Sequence, residues 1–154
     1  MNITKANLKD LPTLLDIQKE AYLAEADIYS DYAIPPLTET LIDFTQALSS
    51  SVVLKAELEG VAVASVRARL KGEICEIGRL SVSPHYQKRG IGRSLLLACE
   101  ALFPSSRYCE LFTGSRSEAN IRLYESLGYR RIRTDVLSRK VTLIYLRKVL
   151  PGTY

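Results

Sequence analysis

A mixed α/β fold of the α+β kind is predicted for this chain by three observations. Residues 52–57, 61–70 and 73–82 are rich in β-branched side chains and are separated only by Leu58-Glu59-Gly60 and by Lys71-Gly72. Joints this short allow antiparallel neighbours but no crossover helix. Ahead of that block, apolar residues recur at helical spacing, and behind it helical and strand patterns alternate. At 154 residues, with 47% apolar and 25% charged side chains, the chain is expected to form one domain over residues 1–154 without disulfide staples.

In chain order, Ile3 to Lys5 reads as a short edge strand. Asp10 is a candidate helix cap, with Pro12 in the first turn, where its missing donor does no harm. The helix is expected to reach about Ala26, with Leu11, Leu14, Leu15, Ile17, Ala21 and Tyr22 as its buried stripe. Residues 29–37 hold Tyr29, Tyr32 and Pro35-Pro36 and read as a loop. Thr38 is then expected to cap a second helix through Leu48. After the three strands, Ile91, Leu95, Ala98 and Leu102 mark an amphipathic helix over 89–102. Strand 108–113, helix 118–127 stopped by Gly128, and strands 129–134 and 141–147 complete a β-α-α-β-β-β-α-β-α-β-β order.

Composition excludes some classes of function. The net charge of +4, from 21 basic and 17 acidic residues, is normal for solubility and lacks the stronger basic stripe with interleaved aromatics of a nucleic-acid binder, although the clusters at Lys88, Arg89 and Arg93 and from Arg130 to Arg133 would favour an anionic ligand. Cys75, Cys99 and Cys109 show no paired spacing, and there is a single histidine, so neither a disulfide framework nor a metal site is expected. The first residues, Met1-Asn2-Ile3-Thr4-Lys5, carry no apolar run behind their charge, which reads as a cytoplasmic protein without a membrane segment.

The segment richest in chemistry is Leu80-Ser81-Val82-Ser83-Pro84-His85-Tyr86-Gln87-Lys88-Arg89-Gly90-Ile91-Gly92-Arg93. A strand ends at Pro84, and a loop with two glycines opens a helix whose first backbone donors have no partner inside the helix. Those donors and the positive end of the helix dipole make an anion site, to which Lys88, Arg89 and Arg93 add charge. A Walker loop and a dinucleotide fingerprint both need a different glycine spacing and are absent.

Gln87, Gly90 and Gly92, following Val82-x-Pro84, resemble the Q-x-x-G-x-G turn of the GNAT superfamily of N-acetyltransferases. Asn120-Ile121-Arg122-Leu123-Tyr124-Glu125-Ser126-Leu127-Gly128-Tyr129 resembles that family's second signature, N-x-x-x-Y-x-x-x-G-[FY]. The resemblance implies the GNAT fold: a twisted, mostly antiparallel sheet of about seven strands, splayed at the cofactor site and flanked by four helices. It implies acetyl-CoA as co-substrate, with Lys88, Arg89, Gly90, Ile91, Gly92 and Arg93 around the pyrophosphate and Leu80, Ser81 and Val82 along the pantetheine arm. A bulge in that strand would admit the cofactor, and Gly78 is its candidate.

Asn120 and Tyr124 are four apart on a helix and share a face. The resemblance points that face at the cofactor, where Tyr124 would protonate the departing thiolate; at this spacing a tyrosine also serves to pack a helix on a sheet. Glu76 is the candidate base or substrate contact, with Glu110 in the next strand, or water, as the alternative. His85, in a loop beside Pro84, reads as solvated, and Cys109 as a small strand hydrophobe rather than an acyl carrier.

The expected reaction is direct attack of a primary amine on acetyl-CoA. The acceptor is expected to be a small molecule in preference to a protein N-terminus or lysine; the resemblance gives the region between the first two helices to the acceptor pocket, and Asp27, Asp31 and Glu39 there would attract a cationic amine or serve as ordinary surface charge. A homodimer is a common arrangement among such proteins. The reading from another class is a non-catalytic acyl-CoA sensor or interaction module.

Overall fold

The computed structural model describes residues 1–152. Among them seven strands form one sheet in the order β1-β2-β3-β4-β5-β7-β6. The strands are β1 (Asn2–Lys5), β2 (Val52–Leu58), β3 (Val61–Lys71), β4 (Ile74–Val82), β5 (Tyr108–Gly114), β6 (Arg130–Val136) and β7 (Thr142–Val149). Every neighbouring pair is antiparallel except β4 and β5. The helices are α1 (Leu11–Tyr29), α2 (Pro35–Thr38), α3 (Leu41–Leu48), α4 (Ile91–Glu100) and α5 (Glu118–Ser126), five where four were expected. None is long and apolar enough to cross a membrane.

Three of the differences from the sequence reading lie between residues 26 and 40. Helix α1 runs three residues past Ala26 and stops where Ser30 turns left-handed, at φ 49°. Pro35 and Pro36 open a turn of helix rather than only breaking one, because both sit at first-turn positions that need no donor. The cap of α3 is Thr40, not Thr38. The Asp43 amide donates to Thr40 Oγ1 at 3.1 Å and the Thr40 amide donates to Asp43 Oδ2 at 3.1 Å, a reciprocal pair that only the 40–43 spacing provides.

The sheet separates two apolar layers. Ile91, Leu95, Leu96 and Cys99 of α4 and Ile121 and Tyr124 of α5 join the larger core, with Val66, Cys75, Ile77, Cys109 and Leu146 from the strands. The other layer packs Leu11, Leu14, Leu15 and Ile17 of α1 and Phe44 of α3 onto Val53. All three cysteines are buried and reduced, and the Cys75 thiol donates to the Cys99 carbonyl at 3.7 Å. A hydrogen bond from Cys75 and burial push the Cys109 thiol far up, and burial raises Cys99 to about 12, so neither of these two is a nucleophile.

The feature that shapes the molecule is in β4. Ser65 pairs with Ser81 and Arg67 with Gly78, so β4 spends two residues, Arg79 and Leu80, where β3 spends one. The bulge expected at Gly78 therefore falls on Arg79 and Leu80, and Arg79 takes a left-handed φ of 53°. Such a backbone costs a non-glycine residue roughly 1–2 kcal/mol. Arg79 accepts it while its side chain reaches toward Glu39, 3.8 Å away. On its other side β4 pairs with β5 only over Ile74–Tyr108, Cys75–Cys109 and Glu76–Glu110. Beyond Glu76 the two strands part.

Glu39, Arg67 and Gln18 form a buried polar cluster under α1 and α2. Arg67 donates to both Glu39 oxygens, at 2.9 Å to Oε2 and by a shorter contact to Oε1, and its guanidinium lies 4.3 Å from the centre of the Phe44 ring. Gln18 Nε2 donates to Glu39 Oε1 at 2.9 Å and to the Pro36 carbonyl at 3.0 Å. Burial opposes the charged form of Glu39, but the bonds from Arg67 and Gln18 outweigh it and hold the carboxyl below its ordinary value of 4.5.

A carboxyl depressed in the folded state contributes stability in full above its unfolded value, and loses it as pH falls through the lower folded value. Thermal stability of the wild type is therefore expected to fall below about pH 4.5. The destabilisation caused by Glu39→Gln should be largest near neutrality and shrink as pH falls to about 3. A constant difference between the two proteins across that range, measured by calorimetry, would exclude Glu39 as the source.

Candidate active site

Where β4 and β5 part, the structure holds a cavity of about 530 Å³. Leu80 and Val82 of β4 form one wall, Ala21, Tyr22, Ala24, Glu25 and Ile28 of α1 another, and Ala119, Asn120 and Leu123 of α5 a third. Its mouth is the turn Tyr86, Gln87, Lys88, Gly90, Ile91, Gly92 and Arg93. The β5-facing backbone edge of β4 has no partner strand past Glu76, so its polar groups are free to bind an extended amide chain.

The turn is built to hold an anion. Lys88 and Gly90 are left-handed, at φ 62° and 81°, which turns successive amides the same way. Gly90 also stands at the N-cap of α4 without a side chain to cap it, so the first-turn amides stay open. Gly92 faces the strand end: a Cβ there would make ordinary contacts with Leu80 Cδ2 at 3.6 Å and Val82 Cγ2 at 3.7 Å. Gln87 Nε2 donates to the Val82 carbonyl at 3.2 Å and ties the turn to the strand end. Arg93 reaches Ser126 Oγ at 3.3 Å across to α5.

A second network crosses the deep end. Glu25 accepts from Asn120 Nδ2 at 3.0 Å and from the Ser117 hydroxyl, which bonds Tyr29 Oη at 2.7 Å. The Arg116 amide donates to Tyr29 Oη at 3.0 Å, and Asn120 Nδ2 also donates to Thr113 Oγ1 at 3.3 Å. These bonds lock α1 to β5 and α5 around the cavity. Gly114 makes room for them, because a Cβ there would overlap the Tyr29 hydroxyl.

The sequence-predicted residues divide between this cavity and its surroundings. Leu80, Val82, Gln87, Lys88, Gly90, Ile91, Gly92, Arg93 and Asn120 line it. Ser81 is buried on the other side of the strand and donates to the Arg79 carbonyl at 3.0 Å. Arg89 turns back to the His85 carbonyl at 3.4 Å, its guanidinium 5.1 Å from the Tyr86 ring centre. Tyr124 lies behind the lining, buried against Tyr129 with ring centroids 6.3 Å apart. Burial, with smaller effects from Tyr22 and Glu25, raises its phenol far above 10, so it stays protonated at neutral pH.

The candidate bases are placed otherwise than their spacing suggested. Glu76 is on the strand that enters the splay but outside the cavity lining, and it accepts from Arg69 Nε at 2.8 Å at the surface. Glu110 is held by Arg147 at 2.6 Å, with Arg133 at 3.8 Å. The acidic residues expected to draw a cationic amine are also engaged. Glu39 is neutralised by Arg67, Asp27 accepts from Tyr32, and Asp31 accepts from the Ala33 amide at 3.0 Å.

Tyr22 and Glu25 are site residues that the sequence reading did not assign. Tyr22 was placed in the apolar stripe, and Glu25 was not singled out. Their signal is a second face of α1, where Ala21, Ala24, Glu25 and Ile28 recur at helical spacing with one carboxylate among small and apolar residues.

The acetyltransferase (GNAT) family pattern matches residues 11–129, which span both the cavity and its turn. The chain belongs to this family of acetyl-CoA-dependent acyltransferases. It is 22% identical to a spermidine N(1)-acetyltransferase of Thermoplasma acidophilum over 148 residues, 88% of this chain and 91% of that one. Among solved structures, the ribosomal-protein-alanine N-acetyltransferase of Brucella melitensis superposes with a TM-score of 0.76 at 25% identity, covering 97% of this chain and 100% of the other. The PaiA N-acetyltransferase of Thermoplasma acidophilum in complex with coenzyme A superposes at 0.70 with 19% identity, covering 97% and 98%.

Two substitutions test the two ends of the cavity. Gly90→Ala strains a left-handed position by roughly 1–2 kcal/mol and is expected to raise the Kd for coenzyme A about tenfold in a calorimetric titration, with the fold retained. Gly114→Ala must displace the buried Tyr29 ring from its bonds to Ser117 and Arg116, and should lower stability by about 1–3 kcal/mol in denaturant unfolding.

Proposed function

We propose that residues 1–154 act as one N-acetyltransferase that passes an acetyl group directly to a primary amine, with a small-molecule amine as acceptor. The observation that carries this reading is the roughly 530 Å³ cavity, with an anion-binding turn at its mouth and Tyr22, Glu25 and Asn120 at its deep end. Its volume is in the range that suits small ligands. The Glu25–Asn120 and Tyr29–Ser117 bonds that join α1 to α5 and β5 support a bounded pocket in preference to an open peptide groove. The spermidine acetyltransferase among the relatives takes a small amine, which agrees with that preference.

Acetyl-CoA supplies the activated acetyl thioester. The residues assigned to hold it are the amides from Lys88 to Arg93 at the phosphates and the β4 edge from Leu80 through Ser81 to Val82 along the pantetheine arm. Gln87 fixes the turn, and Arg89 and Arg93 add positive charge at its rim. Asn120, held by Glu25 and Thr113, orients α5 on the cavity.

Tyr124 donates a proton to the departing thiolate, a role supported by its position one turn along α5 from the cavity-lining Asn120 and by a phenol that is protonated at neutral pH. The amine must be neutral to attack. Glu76 takes its proton through water, since the carboxylate lies outside the lining and is half-exposed to solvent.

Tyr124→Phe is expected to lower kcat about 100-fold or more while leaving the Kd for acetyl-CoA within about twofold. Turnover unchanged in that variant would remove Tyr124 from the chemistry. If acetyl-CoA binds and no amine in a panel of amino acids, polyamines, aminoglycosides and peptides stimulates thiol release, the protein is an acyl-CoA sensor instead.

A further inference from the structure

The cluster beside the bulge carries more positive charge than it can satisfy internally. Glu39 is fully engaged by Arg67 and Gln18. Arg79 approaches the same carboxylate with Nε 3.8 Å from Oε1, beyond hydrogen-bonding reach. Among the described residues, the buried side-chain polar atoms without a hydrogen-bond partner are Arg79 Nε and Arg67 Nε. Two guanidiniums thus share one carboxylate in a place where the Arg79 side chain is only 24% exposed. Burial of this kind, uncompensated, works against a charged group, and burial depresses the Arg79 guanidinium accordingly.

Other acids near the cavity do not balance it. Glu25 is held by Ser117 and Asn120, and Glu76 by Arg69. Tyr22, which lines the cavity within electrostatic range of both Arg79 and Arg67, has a phenol raised to about 12 and so carries no charge at neutral pH. The position of Arg79 relative to the cavity follows from the bulge. Leu80, its neighbour in the chain, puts its side chain into the cavity, while Arg79 turns to the side of the sheet covered by α1 and α2. Arg79 is not itself among the lining residues, but Tyr22, which lines the cavity, lies within electrostatic range of it, so an anionic end of an acceptor placed beside Tyr22 comes within range of the same charge.

Resting on the transferase reading above, we infer that Arg79 is a specificity-determining residue that binds the carboxylate of the acceptor, which makes the acceptor class an amino acid or similar amino-carboxylate and not a polyamine. Arg79 Nε is itself buried, so the terminal nitrogens of this guanidinium are the groups left to offer a charge-assisted bond to a carboxylate and to repel a second ammonium. The polyamine named for the Thermoplasma acidophilum relative would set that second ammonium against the surplus cation.

Calorimetry on wild-type protein, first titrated with coenzyme A, tests this without turnover. The probes are N-acetylalanine, N-acetylleucine and N-acetylglutamine, each against its own carboxamide. The acids should bind about 10- to 100-fold tighter than the amides. Arg79→Gln should bring acid and amide within about threefold, and Arg79→Lys should restore part of the difference. In acetylation assays the free amino acids should exceed both their amides and spermidine at least tenfold in kcat/KM.

Coenzyme A bound with equal affinity for acid and amide, or with none of the acids bound, overturns the inference and leaves the transferase reading standing. So does a preference for acids that persists in Arg79→Gln, or a wild-type preference for spermidine. No binding of coenzyme A would sink both. The wild-type comparison of acid with amide decides the question even if the Arg79 variants do not fold.

Discussion

Parallel pairing between β4 and β5 lasts three residues, and most of what the molecule can do depends on its ending there. Had the register continued past Glu76, the backbone edge of β4 would be satisfied by β5 and no cavity would open between α1 and α5. What ends it is the extra residue at Arg79 and Leu80 on the β3 side of the same strand, which bends and twists β4 away from β5. A left-handed arginine is an expensive way to make a bulge. Arg79 keeps that backbone with its side chain drawn toward Glu39, 3.8 Å away, so the backbone strain and the buried charge are two sides of one arrangement.

Two polar networks brace the opening from opposite sides. Under α2, Glu39, Arg67 and Gln18 fasten the start of the chain to β3 and fix the ground on which Arg79 stands. At the deep end, Glu25, Asn120, Ser117 and Tyr29 fasten the second half of α1 to α5 and β5. Helix α1 contributes to both, with Gln18 at one network and Glu25 two turns later at the other. It therefore serves as a strut across the splay, and its single carboxylate on the cavity face orients groups on α5.

Much of this architecture is legible from residue patterns. The short joints at 58–60 and 71–72 fix three antiparallel neighbours, and the glycines at 90 and 92 after a strand fix an anion-binding helix start. What escapes the sequence is what tertiary contacts decide. Glycine is the residue that local rules nominate for a bulge, so Gly78 is the natural choice, yet the register places the bulge one residue later on Arg79, whose side chain turns toward Glu39. Strand alternation puts Glu76 and Glu110 on one face but says nothing of Arg69 and Arg147, which occupy them. Pro35 and Pro36 could be read as breakers or as helix starters, and the Gln18 bond to the Pro36 carbonyl selects the second.

The burial of Cys75, Cys99 and Cys109 has a consequence for a protein whose product is a thiol. Each transfer liberates coenzyme A, and in an oxidising interval coenzyme A becomes a disulfide able to exchange with any accessible protein thiolate. Here the three sulfurs are 0–1% exposed, and those of Cys99 and Cys109 are held in their protonated form. The folded enzyme thus offers coenzyme A disulfide nothing to exchange with. It can work in a pool of its own product without becoming covalently capped by it.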